Sequence, residues 1–183
     1  NRGTCSQPCR MKYDLYSDHK LNKDKYLLST KDLNTILNIG KLIDIGVDSL
    51  KIEGRMKRPE YVYLITSLYR KAINNYLKYK ETKITDNDIK EMKKIFNREF
   101  TKGFIFNENN NDFTNEFRPN HMGIKIGSVV SVGKKIKIKL TDNLNQGDGI
   151  RFIGKTEDGG IVNKMYKKGK LVSSALQNEI IEL

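Results

Sequence analysis

Both cysteines of this 183-residue chain, Cys5 and Cys9, lie in its first ten residues, Asn1-Arg2-Gly3-Thr4-Cys5-Ser6-Gln7-Pro8-Cys9-Arg10. They stand four positions apart in a stretch punctuated by Gly3 and Pro8. Thiolate is the form of cysteine that binds zinc or an iron–sulfur cluster, and Arg2 and Arg10 would complement the negative charge of such a site. Two sulfurs do not close a four-coordinate site, so the pair reads as half of one. The same spacing also fits a local disulfide, two inert thiols or a redox switch, because C-x3-C is less specific than a doubled C-x2-C.

A second group with chemical potential is Lys51, Glu53 and Arg55, in Val47-Asp48-Ser49-Leu50-Lys51-Ile52-Glu53-Gly54-Arg55. The alternation predicts a strand over 47–53, which would put Lys51 and Glu53 on one side and leave Arg55 free for an anionic substrate. The alternative is a structural ion pair. Proteolytic chemistry has thin support. His19 and His121 are the only histidines, neither has a Cys or Ser partner at a telling spacing, and H-E-x-x-H and G-x-S-x-G are missing.

The elements that must position these groups change character along the chain. Short strands are expected at 11–16 and 26–29, and a helix at 31–38 with Gly40 as its stop. A helical turn is expected at 41–45. Pro59 then opens a helix reaching about Tyr79, with Tyr61, Ile65, Leu68, Ala72 and Tyr76 on one face. A further helix over 86–96 carries Thr85 as its cap. This alternation predicts α/β architecture, the terminal strand–helix units of a (β/α) TIM-like barrel over residues 1–99. From Phe100 to Leu183 the pattern becomes short alternating strands at 103–106, 123–132, 136–140, 149–153, 161–166 and 170–172. That predicts an all-β part, a small antiparallel β-barrel or sandwich. The polar, asparagine-rich run 107–115 reads as a loop.

Lysine and arginine exceed aspartate and glutamate by 34 to 22, a net +12, which attracts polyanions such as RNA. Of the basic residues 26 are lysine and the chain holds 18 asparagines, a bias that an AT-rich genome also produces. Lys135, Lys137 and Lys139 alternate with Ile136, Ile138 and Leu140 and are expected on the solvent face of one strand, as an RNA contact or simply as solubilising charge. No apolar run approaches the roughly 18 residues of a membrane span, and two cysteines are too few for a secreted disulfide scaffold. A cytoplasmic location with no membrane partner is the expectation.

The cysteine segment resembles peptidase family U32, the collagenase-like proteins. The likeness continues in order through Leu27-Leu28-Ser29-x-Lys31-Asp32-Leu33, Gly46 to Lys57, Tyr61 and Tyr69-Arg70. Glu99 to Phe104, Asn120-His121-x-Gly123 and Gly147-Asp148-Gly149-Ile150 are similar to the longer members, especially the ribosomal-RNA hydroxylation branch. The resemblance implies oxygen-independent hydroxylation of an rRNA or tRNA pyrimidine, with prephenate as the oxygen source and a 4Fe-4S cluster held by four cysteines. Cys5 and Cys9 match the later pair of that ligand set, and the earlier pair is expected upstream of Asn1. Two alternatives remain: a collagenase-like peptidase, and a β-domain that docks RNA without catalysis.

Overall fold

A computed structural model describes residues 5–17, 19–106, 113–154 and 157–183. Arg2, and residues 107–112 of the expected polar loop, lie outside the described residues. The chain divides into two compact units, Asn1–Ile124 and Lys125–Leu183.

The first unit opens on a short 3-10 turn, Pro8–Arg10, and an antiparallel hairpin of β1 (Tyr13–Ser17) and β2 (Lys20–Lys25). Two-residue strands β3 (Asp32–Leu33) and β4 (Phe100–Thr101) pair in parallel and bring residues near 32 and 100 together. Between them lie α1 (Ile39–Asp44), α2 (Pro59–Tyr79) and α3 (Asp86–Ile95). Pro59 starts α2 because its missing N–H would have no helical acceptor there and its φ is already helical. Lys80, in the left-handed conformation at φ 60°, ends the helix by donating its N–H to Tyr76 O. Thr85 and Asp88 form a reciprocal capping box at the start of α3.

Ile65, Leu68 and Ala72 recur at helical spacing on α2 and bury against Ile36, Ile39 and Leu42, with Met92 of α3 completing the core. Gly40 permits that approach. A Cβ there would lie 2.2 Å from the Tyr76 ring, whose hydroxyl is bonded to Asp44.

The second unit holds β5 (Gly127–Val132), β6 (Ile136–Leu140), β7 (Leu144–Asn145), β8 (Gly149–Ile153) and β9 (Glu157–Ile161). It continues through β10 (Met165–Lys167), β11 (Lys170–Val172), β12 (Ser174–Ala175) and β13 (Ile180–Glu182). Five strands form one sheet in the order β11-β10-β13-β6-β5, every neighbouring pair antiparallel, while β7–β12 and β8–β9 pair separately. On β6, Ile138 and Leu140 turn into a core with Leu144, Val162, Met165, Ala175 and Ile181. Lys137 and Lys139 face solvent, as their alternation predicts.

The architecture is mixed α/β with several antiparallel sheets, and it differs from the expected pair of barrels. No barrel closes among the described residues, because β5 and β11 are opposite edges of the five-stranded sheet and do not pair with each other. Of the expected TIM-like strand–helix units, the described residues form one parallel pair, β3 and β4, with α1, α2 and α3 between them. Residues 47–53 have no ladder partner and run as irregular chain, 26–29 form a turn, and the expected helix 31–38 is β3 followed by a 3-10 turn, Ile36–Asn38. A strand exists only where a neighbour supplies the other half of its hydrogen bonds, and alternation alone does not supply it. No helix among the described residues is long and apolar enough to cross a membrane.

Candidate functional site

The cysteine turn is built by backbone hydrogen bonds. Gln7 adopts the left-handed conformation at φ 54° and its carbonyl accepts from Arg10 N at 2.9 Å. Pro8 O accepts from Met11 N at 3.2 Å and from the Tyr13 hydroxyl at 2.7 Å. Both cysteines are exposed free thiols. The Gln7 N–H donates to Cys5 Sγ at 3.3 Å, the kind of bond that supports negative charge on a ligating sulfur. The donor set fits a thiolate-bound metal centre as far as two ligands. Among the described residues no group of three or more His, Cys, Asp or Glu side chains is placed to hold a metal ion.

Arg10 leads from this turn into a cluster that the spacing of residues does not announce. Its Nη1 donates to Pro119 O at 2.7 Å, which ties the turn to the segment carrying His121. His121 stacks on Phe96 with ring centroids 5.5 Å apart and 13° between planes. Its Nδ1 accepts the N–H of Asn97 at 2.9 Å and of Gly123 at 3.3 Å, which places the ring proton on Nε2. Partial burial of the ring lowers its pKa, in keeping with a neutral imidazole.

Lys57, just before α2, sets its Nζ 2.7 Å from the centroid of the Phe96 ring and 5.3 Å from that of Tyr61. Arg98 approaches the same Phe96 ring at 5.2 Å. Arg98 is held by Asp32, whose Oδ1 accepts from Nε at 2.9 Å and from Nη2 at 2.5 Å, while Oδ2 accepts from the Arg98 N–H at 3.0 Å. Burial, and next the neighbouring Arg98 charge, lower the pKa of Lys57. Burial raises that of Tyr61.

The expected trio sits differently. Lys51, Glu53 and Arg55 are all exposed and lie on irregular chain rather than on a strand. Glu53 Oε1 accepts the N–H of Arg55 at 2.6 Å, so the carboxylate closes a local turn and forms no ion pair with Lys51. Cys5, Cys9 and Arg10 share one turn, and Arg2 is outside the described residues.

Sequence spacing does not single out Lys57, Phe96, Arg98 and His121 as a site. They come from three places in the chain that only the fold unites. The available signals were Lys57 closing the Gly54-Arg55-Met56-Lys57 run and the Asn120-His121-x-Gly123 turn.

Comparison with known proteins places the sequence in a wider group. Residues 1–115 match the sequence profile described as peptidase family U32. An uncharacterized protease of Methanocaldococcus jannaschii is 39% identical over 181 residues, covering 91% of this chain and 44% of the relative. The 23S rRNA 5-hydroxycytidine synthase of Escherichia coli is 34% identical, covering 98% of this chain and 29% of the relative. A protein named collagenase from Porphyromonas gingivalis is 38% identical, covering 75% of this chain and 33% of the relative. The chain thus spans less than half the length of each of these relatives. No solved structure matches significantly.

Proposed function

The chain belongs to peptidase family U32, and from that premise we propose that it is part of an enzyme that hydroxylates a pyrimidine of ribosomal or transfer RNA. The carrying observation is the extent of likeness. Similarity to the rRNA hydroxycytidine synthase runs over 98% of the chain and so includes the second unit, while the uncharacterized protease covers 91% and the collagenase 75%. The cysteine turn supports the reading, since exposed thiols with an N–H aimed at one sulfur suit ligation better than packing.

In this reading Cys5 and Cys9 would give two thiolates to a 4Fe-4S cluster, and Arg10 would offset its negative charge. Such a cluster supplies one-electron redox chemistry when bound. The overall change replaces a pyrimidine C–H by C–OH, with a small anionic co-substrate such as prephenate as the oxygen donor. Residues 1–124 would carry the chemistry and 125–183 would help to hold the RNA.

The collagenase and protease names among the relatives keep peptide hydrolysis as the second reading. Mass spectrometry of RNA nucleosides from a deletion strain separates the two. A hydroxylated pyrimidine that vanishes on deletion, returns with the wild-type gene and stays absent with Cys5→Ser or Cys9→Ser supports hydroxylation. Unchanged nucleosides, together with collagen cleavage that survives both substitutions, would establish proteolysis instead.

A further inference from the structure

The cluster beside the cysteine turn holds more positive charge than it has partners for. Arg10, Lys57 and Arg98 are half-buried together, and Asp32 is the carboxylate facing them. Both oxygens of Asp32 are engaged by Arg98. Lys57 has no carboxylate within ion-pair distance among the described residues. Its contacts are the faces of Phe96 and Tyr61. A ring face stabilises a cation only modestly, and Arg98 stands beside Lys57 as a like charge.

His121 does not act as the missing partner. Its Nδ1 is taken by the N–H groups of Asn97 and Gly123, the backbone of Lys94 also bonds the ring, and its face supports Phe96. The platform is therefore fixed, and the ammonium resting on it has donors to spare.

We infer that Lys57, backed by Arg98 and Arg10, is an oxyanion-binding site that receives a carboxylate or phosphate next to the Cys5–Cys9 turn. The chemistry is that of a point charge on a rigid aromatic seat, with the arginine planes behind it adding a field that favours an anion. Arg10 spans the two places, since it follows Cys9 directly and is anchored to the His121 segment through Pro119. Only the choice of anion, a free carboxylate or an RNA phosphate, rests on the hydroxylase reading.

The test is calorimetric titration of the full chain with malonate and, separately, with inorganic phosphate, for wild type, Lys57→Met and Lys57→Arg. Wild type binds at least one of the two. Lys57→Met weakens binding about tenfold or more, and Lys57→Arg retains most of it. Thermal melting accompanies each titration: the anion raises the wild-type midpoint and leaves that of Lys57→Met, which remains folded, unmoved. Displacement of bound phosphate by an oligoribonucleotide identifies the RNA backbone as the source, and malonate binding indifferent to RNA identifies a free carboxylate. Binding of neither anion by wild type, or equal binding by Lys57→Met, overturns the inference. Because the readout is binding, it stands or falls apart from the nucleoside analysis that tests hydroxylation.

Discussion

At the scale of single residues, the two groups of chemical interest differ in how far sequence exposes them. The cysteines declare themselves by type, since two thiols in one turn are legible without a fold. Lys57 and His121 are 64 positions apart, and only the packing of Phe96 between them makes a site. The cysteines also carry no share of the core, as both are exposed and Cys5 Sγ accepts one N–H. Cys5→Ser and Cys9→Ser should therefore leave the melting midpoint of the chain within the small range of surface changes, about 0.5 kcal/mol. If the proposed cluster forms on these thiols, the same substitutions should abolish the iron content of protein purified without air. Iron bound at wild-type level in either variant would overturn the proposal that the cysteine turn ligates a cluster.

At the scale of elements, the two long helices are readable from sequence, whereas the expected helix at 31–38 and the expected strands at 26–29, 47–53 and 103–106 are not formed. A helix satisfies its own backbone, so periodicity and end signals suffice. Pro59, and Thr85 before Asp86, mark the true starts of α2 and α3. Residues 47–53 have equally good alternation and remain unpaired, because a strand depends on a neighbour that local pattern does not specify. β2 was missed for the converse reason: Lys20–Lys25 is almost wholly polar and becomes a strand by pairing with β1.

The start of α3 yields an expected pH response. Asp88 closes the capping box with Thr85 and pairs with Lys71 at 2.7 Å, and the Lys71 hydrogen bond, followed by the Thr85 N–H, holds its carboxyl below the usual carboxylate range. A lowered folded-state pKa means stability that is present above the ordinary value near 3.9 and lost as pH falls through the folded value. Wild type should exceed Asp88→Asn in melting midpoint by a constant margin above about pH 5. That margin should shrink on acidification below about pH 4. Thr85→Ala should cost about 1 kcal/mol of cap stabilisation. A margin independent of pH would show that the charge of Asp88 contributes nothing.

At the scale of the molecule, the strands at 136–140, 149–153 and 170–172 coincide with β6, β8 and β11, while closure into a barrel did not follow from them. Whether two edges meet is decided by shear and tilt over a whole sheet, which no single strand records. Net charge is also a property of this scale. The chain carries +12, with Lys137 and Lys139 on the outer face of β6, and Glu182 lies 3.5 Å from Lys135 and 3.4 Å from Lys137. Exposed ion pairs of this kind are worth about 0–1 kcal/mol and yield to a phosphate, so they do not block an RNA backbone. If the second unit helps to hold RNA, affinity should fall linearly on a plot of log K against log salt. The slope should be about −0.7 for each phosphate neutralised on a single strand. Lys137→Glu with Lys139→Glu should flatten that slope and weaken all RNA sequences alike, because phosphate contacts carry no base preference. A slope unchanged by the pair would move the RNA contact off β6, and affinity indifferent to salt in the wild type would leave the charge excess without a role in RNA binding.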